Sequence, residues 1–198
     1  LGSNSFLLSP NWGCSNPVKS KIYFHRSLTD GIYNAGFLGA TIKGLNGLYW
    51  WAECCFYSCE RNPNLGLYDD QGYLNQIPVL YEDTKILRHK GCNVAEWNRF
   101  EIERSLDKHG NLILDGVFPL VFIHFSNLPF LYEHDPILIP FFEEYDRQLK
   151  GNGFKGSLVS LARNYVYRQR LKKLNFYERV LRKVLGPYLF GRWKGWKN

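Results

Sequence analysis

The chain has 198 residues, 45% hydrophobic and 17% aromatic, which is enough for a sizeable core and excludes a disordered polymer. It has no run of about 18 apolar residues, so no membrane-spanning helix is expected, and its polar start lacks the basic stretch of a secretory signal. The net charge of +7 is unevenly spread: 14 Lys/Arg and a single acid, Glu178, follow from Arg147 onward, while residues 1–146 carry 11 Lys/Arg against 17 Asp/Glu. An acidic body therefore precedes a strongly basic tail, of the kind that meets phosphate on lipid or nucleic acid.

Methionine is absent, even at position 1, and the chain is expected to be cut from a longer one. Its five cysteines, Cys14, Cys54, Cys55, Cys59 and Cys92, lack paired Cys-x-x-Cys spacing. They are expected to be reduced, buried thiols rather than a zinc site or disulfide framework.

In chain order, residues 1–30 are rich in Ser, Asn, Gly and Pro and read mostly as loop, with a short apolar entry at Phe6-Leu7-Leu8. Ile32 to Ala40 is expected to be a buried strand, with Gly36 and Gly39 allowing close approach of another backbone or a ligand. Leu48, Trp51, Cys55 and Cys59 recur at helical spacing and predict an amphipathic helix over 47–60. A second helix is expected from Asp69 or Asp70 through Ile77, capped by Asp and stopped by Pro78. Val79 to Leu87 and Asn93 to Trp97 read as short extended segments around a Lys90-Gly91 turn. Residues 111–116 read as a small strand with a turn, Phe118 to Phe125 as a strong strand, and Pro136 to Leu149 as a helix.

Gly151-Asn-Gly-Phe-Lys-Gly156 has the spelling of a dinucleotide-binding loop, but it follows no strand and no acid sits about 20 residues on. It reads as a hinge. Beyond it, Leu158 to Leu171 and Leu174 to Leu185 are expected to be helices, and Trp193 and Trp196 alternate with cations in a pattern suited to a membrane interface. The alternation of strands and helices favours an α/β class.

Four short polar clusters lie at the ends of apolar runs: Asn34-Ala35-Gly36, Asp69-Asp70-Gln71, Asn93 with Trp97-Asn98, and His124-Phe125-Ser126. In the segments YNAGFLG (33–39), YDDQGYLNQIP (68–78), GCNVAEWN (91–98) and FIHFSN (122–127), they resemble successive motifs of the A-type-fold nucleotide-sugar glycosyltransferases that include glycogenin and the bacterial lipopolysaccharide galactosyltransferases. The resemblance covers residues 6–130.

The resemblance implies an α/β domain in which a nucleotide-binding half abuts an acceptor-binding half, of which this chain would be the acceptor side. Residues 1–150 would be the C-terminal part of the catalytic domain, and residues 151–198 a hinge plus a basic amphipathic helical tail. The implied reaction moves a sugar from a nucleoside-diphosphate sugar, such as a UDP-sugar, to a glycan or lipid-linked acceptor, with a divalent metal, manganese or magnesium, on the diphosphate. The family's Asp-x-Asp metal motif is absent here, so this chain alone is expected to be inactive.

By the same resemblance, His124 would be a metal ligand, and a strand end would fix its imidazole rigidly. Asp70 and Gln71 would act at the reacting carbon, a carboxylate binding sugar hydroxyls and an amide serving as donor and acceptor. Asn34, Ala35 and Gly36 would lie under the donor sugar, and Asn93, Trp97 and Asn98 would complete substrate binding, with Trp97 offering a flat apolar face. The expected location is cytoplasmic, peripheral at the inner membrane face through residues 157–198. Two other readings compete: a degenerate, non-catalytic half serving as a partner or glycan-binding module, and a nucleic-acid-binding protein led by the tail, which the acidic body disfavours.

Overall fold

The computed structural model describes residues 2–172 together with Glu178, Val180, Lys183 and Val184. The chain is mixed α/β and divides into two compact units, between Ser126 and Asn127. Among the described residues, no helix is long and apolar enough to cross a membrane.

The first unit is organised by β1 (Phe6–Pro10), in which Phe6 and Leu8 alternate with Leu7 and share the buried face. β1 is the middle strand of a three-stranded sheet, antiparallel to β2 (Tyr33–Ala40) and parallel to β5 (Thr84–Ile86). Leu8 sits opposite Leu38 on one side and Ile86 on the other. The register slips between Leu8 and Pro10, where proline has no N–H to give to a ladder.

Helix α1 (Lys21–Thr29) starts at Ser20, whose hydroxyl accepts from the Tyr23 N–H. Residues 1–30, expected to be mostly loop, thus hold the central strand and a capped helix. After a turn of 3-10 helix at Ile42–Gly44 comes α2 (Leu45–Tyr57), which lays Leu48, Trp50 and Trp51 against a core of Phe6, Leu8, Tyr33, Leu74 and Ile77. The expected apolar stripe ends early: Ser58 caps the helix, and Cys59 lies beyond it, exposed.

A small hairpin, β3 (Arg61–Asn62) with β4 (Leu67–Tyr68), leads to Asp69. The expected helix from Asp69 or Asp70 to Ile77 is instead a 3-10 turn at Gly72–Gln76 running into α3 (Ile77–Leu80), with no side-chain cap. Pro78 opens α3 rather than stopping a helix, since the first turn needs no N–H from it.

The rest of this unit is a meander of β6 (Arg104–Leu106), β7 (Leu112–Leu114) and β8 (Phe118–Pro119), turned through Asp115 and Gly116, which both have positive φ. The strand expected over Phe118 to Phe125 ends at Pro119. The chain then leaves β7 and pairs elsewhere: Val121 N–H donates to Gly91 O at 2.8 Å, and Ile123 bridges Val94 in parallel. A side chain at Gly91 would have its Cβ 1.9 Å from Pro119 O, so glycine is what lets the two segments meet.

The second unit comprises α4 (Leu128–His134), a 3-10 turn at Pro136–Leu138, α5 (Ile139–Gly151) and α6 (Leu158–Lys172). Its buried residues include Leu131, Leu138, Phe142, Ala162 and Val166. The segment read as a hinge between body and tail is a loop inside this unit: Asp146 of α5 accepts from the Leu158 N–H at 2.6 Å and from the Ser157 hydroxyl at 3.0 Å, which caps α6. The helix expected over 174–185 lies largely, and the Trp193/Trp196 segment wholly, outside the described residues.

Candidate functional site

Strand β2 places Asn34, Ala35 and Gly36 in succession, and the turn before Gly72 brings Gln71 to them. The Asn34 amide N–H donates to Gln71 Oε1 at 3.0 Å, the Ala35 N–H donates to the same oxygen at 3.3 Å, and Gln71 Nε2 donates to Asp30 O at 2.5 Å. Asn34 Oδ1 in turn accepts from the Gly36 N–H at 3.0 Å, a local turn that asparagine favours. Both Asn34 and Gln71 are buried. The Gln71 oxygen thus spends both lone pairs on β2, so the part visible for Gln71 is to hold Asn34 and Ala35 in place.

Asp70 precedes this lock. Its carbonyl accepts from the Trp51 indole N–H at 2.8 Å; burial and the neighbouring Cys59 push up the pKa of the Cys55 thiol, and the half-buried Asp70 carboxylate adds to them. Asp69 takes a left-handed backbone (φ 47°), which aspartate tolerates.

The third and fourth clusters meet through the Val94–Ile123 bridge. Val94 O accepts from the His124 N–H at 2.8 Å, and the Val94 N–H donates to Phe122 O at 3.2 Å. Across this pairing, His124 Nδ1 lies 3.0 Å from Asn93 Oδ1. The Trp97 and His124 rings meet edge to face with their centres 5.0 Å apart, and the Trp97 indole N–H donates to Asn11 O at 2.8 Å. Ser126 donates to Glu96 Oε1 at 2.9 Å.

Gly36 connects the two pairs of clusters. A Cβ built there would sit 2.1 Å from His124 Cε1 and 2.7 Å from its Nδ1, so the imidazole occupies the space that any other residue would fill. Asn34, Gly36, Gln71, Asn93, Trp97 and His124 therefore gather at one place, although they span 90 positions of sequence. Half-burial lowers the His124 pKa from its ordinary 6.5, because a low-polarity surround disfavours the imidazolium. The ring is thus neutral at physiological pH, the form that binds metals.

Asn98 stands apart from its expected role. It is fully buried: Oδ1 accepts from the Ala95 N–H at 3.1 Å and from Arg104 Nη2 at 2.9 Å, while Nδ2 donates to Asn93 O at 2.9 Å. It braces the loop that carries Asn93 and has no surface for a substrate. Sequence reasoning missed this brace and Arg104, whose guanidinium also reaches Ala95 O at 2.6 Å. It missed the Asp30 carbonyl too, since backbone acceptors leave no mark in side-chain patterns.

For a divalent metal, the residues fit at one position. His124 Nδ1 faces the Asn93 amide oxygen, and Nε2 makes no hydrogen bond to the described residues. Among those residues, no group of three His, Cys, Asp or Glu is placed to hold an ion together, so His124 would be a single ligand in a set completed from outside them.

Two proteins of Bacillus subtilis strain 168 are similar to this chain. Uncharacterized protein YfnF is 35% identical over 98 residues, covering 48% of this chain and 32% of that protein. Uncharacterized protein YfnD is 29% identical over 124 residues, covering 61% of this chain and 38% of that protein. The chain thus spans 32% of one curated relative and 38% of the other. No family model and no solved structure matches the chain.

Proposed function

We propose that the first unit is the acceptor-side half of an A-type glycosyltransferase site, which transfers a sugar from a nucleoside-diphosphate sugar to a glycan or lipid-linked acceptor. One observation carries this reading: the four clusters that resemble the family's ordered motifs converge, with the His124 imidazole seated on Gly36 and Asn34 tied to Gln71. Unrelated polar turns would have no reason to meet.

In this reading, His124 offers Nε2 to a divalent cation on the donor diphosphate. A cation there neutralises charge as the diphosphate departs. The Asp70 carboxylate accepts from sugar hydroxyls, and Trp51 fixes the backbone that carries it. Asn34, Gln71 and Asn98 keep the walls rigid, so that geometry is set before substrate arrives. The test is calorimetric titration with UDP-glucose and UDP-galactose, with and without manganese, of the protein together with the nucleotide-binding half this reading requires, on the same chain or a partner, alongside release of UDP on adding acceptor. Metal-dependent binding that is lost in His124→Ala supports the reading; no binding in any arm defeats it.

A second reading, a glycan-binding or partner module without turnover, is favoured by the commitment of the Gln71 and Asn98 amides to neighbouring backbone and side chains. Binding of free glycans without UDP release would select it. The membrane association proposed for the basic tail is separate from both.

A further inference from the structure

We propose that Asn93 is the positioning residue that holds the His124 ring in its Nδ1–H tautomer and so leaves the Nε2 lone pair for the ligand; this rests on the reading of His124 as the imidazole of the proposed site. A neutral imidazole carries one N–H, and the hydrogen bond made by one nitrogen decides the state of the other. His124 Nδ1 faces Asn93 Oδ1 at 3.0 Å. An amide oxygen only accepts, so the proton must lie on Nδ1.

Asn93 is suited to the task because little about it can move. It is 0% exposed. Its backbone is left-handed at φ 60°, a conformation asparagine tolerates better than most residues. Its own carbonyl accepts from the buried Asn98 amide at 2.9 Å. The next residue, Val94, is bonded in both directions to the segment bearing His124. The ring is confined as well, by the Gly36 backbone and by the Trp97 ring.

The amide's other half is enclosed and does not compete for the ring. Asn93 Nδ2 is buried and makes no hydrogen bond to the described residues. Buried amide donors are nearly always paired, and this one shares a carbon with the oxygen that grips the ring.

The experiment is nitrogen NMR of the full chain labelled with 15N-histidine, read at pH 8 without ligand, with His124 assigned by comparison with His124→Gln. The expected result is a pyrrole-like shift at Nδ1 and a pyridine-like shift at Nε2. In Asn93→Gly, which suits the left-handed backbone, the two shifts should move toward each other or exchange. An Nε2–H pattern in the unaltered protein overturns the proposal, as does an unchanged pattern in Asn93→Gly. If that variant fails to fold, the unaltered protein's pattern decides alone. A failure to bind UDP-sugars in a separate titration would count against the functional reading and leave the tautomer result untouched.

Discussion

The indole N–H of Trp51 reaches out of α2 to the backbone carbonyl of Asp70 at 2.8 Å, a bond that ties a core helix to the turn presenting Asp70 and Gln71. The same indole packs against the cluster of Phe6, Leu8, Tyr33, Leu74 and Ile77. Trp51 thus belongs at once to the core and to the support of the turn.

Trp51→Phe keeps an aromatic ring but leaves the Asp70 carbonyl without its donor. A lost hydrogen bond of this kind costs about 1 kcal/mol, and the smaller ring adds a packing loss. The expected outcome is a lower urea midpoint with an unchanged slope, together with weaker UDP-sugar binding in a protein that remains folded. Weakened stability with full binding would show that the turn is held by other means.

Gly36→Ala should displace the His124 imidazole, because the new methyl would meet Cε1 at 2.1 Å. Overpacking of this sort costs about 1–3 kcal/mol. We expect a lowered Tm and a shifted His124 ring resonance, with loss of manganese-dependent UDP-sugar binding. A variant matching the parent in all three would place the ring elsewhere.

The pH response follows from the sign of the His124 shift. Its folded pKa lies below the ordinary 6.5, so as pH falls through that value the unfolded chain takes up a proton that the folded chain refuses. The unfolded state is then favoured. This contribution to stability is fully present above the unfolded pKa and is lost as pH falls toward the folded one. Urea titrations at pH 7.5, 6.5 and 5.5 should show stability declining, and His124→Gln should show a shallower decline. Equal declines would mean that the ring titrates as in the unfolded chain.

Truncation separates the tail's two parts. Removing residues 157–198 takes away α6 with its buried Ala162 and Val166 and strips Asp146 of the Leu158 and Ser157 donors. That form should lose cooperative unfolding in the second unit. Removing residues 173–198 leaves α6 whole and should preserve the fold, while reducing sedimentation with vesicles that contain phosphatidylserine. Each cation near such a surface contributes on the order of 1 kcal/mol. Equal pelleting of the shorter and full chains would remove the tail from any anchoring role.

Local chemistry made much of the secondary structure readable: the apolar run of β2, the helical spacing of Leu48 and Trp51, and the turn at Asp115-Gly116 were all visible in order. β1 was not, because five residues amid loop-like composition become a central strand only by pairing with partners from residue 33 onward and at Thr84–Ile86. The segment after Phe118 was misread for a related reason, since its pairing passes from β7 to Gly91 and Val94, a choice made by distant backbone. In the candidate site, the clusters themselves were legible. The direction of each amide was not, because the partners of Gln71 include Asp30, 41 positions away, and those of Asn98 include a guanidinium on β6.

The left-handed backbone at Asn93 gives relatives of this chain a marker that can be scored without any structure. At φ 60°, glycine is unstrained and asparagine or aspartate is tolerated, while other residues are disfavoured by about 1–2 kcal/mol. A glycine at this position in a related chain would identify a copy that kept the loop but gave up its grip on the imidazole. A β-branched residue would identify one whose loop has been rebuilt. Sorting homologues by this one position divides chains equipped to orient the ring from those that only share the scaffold.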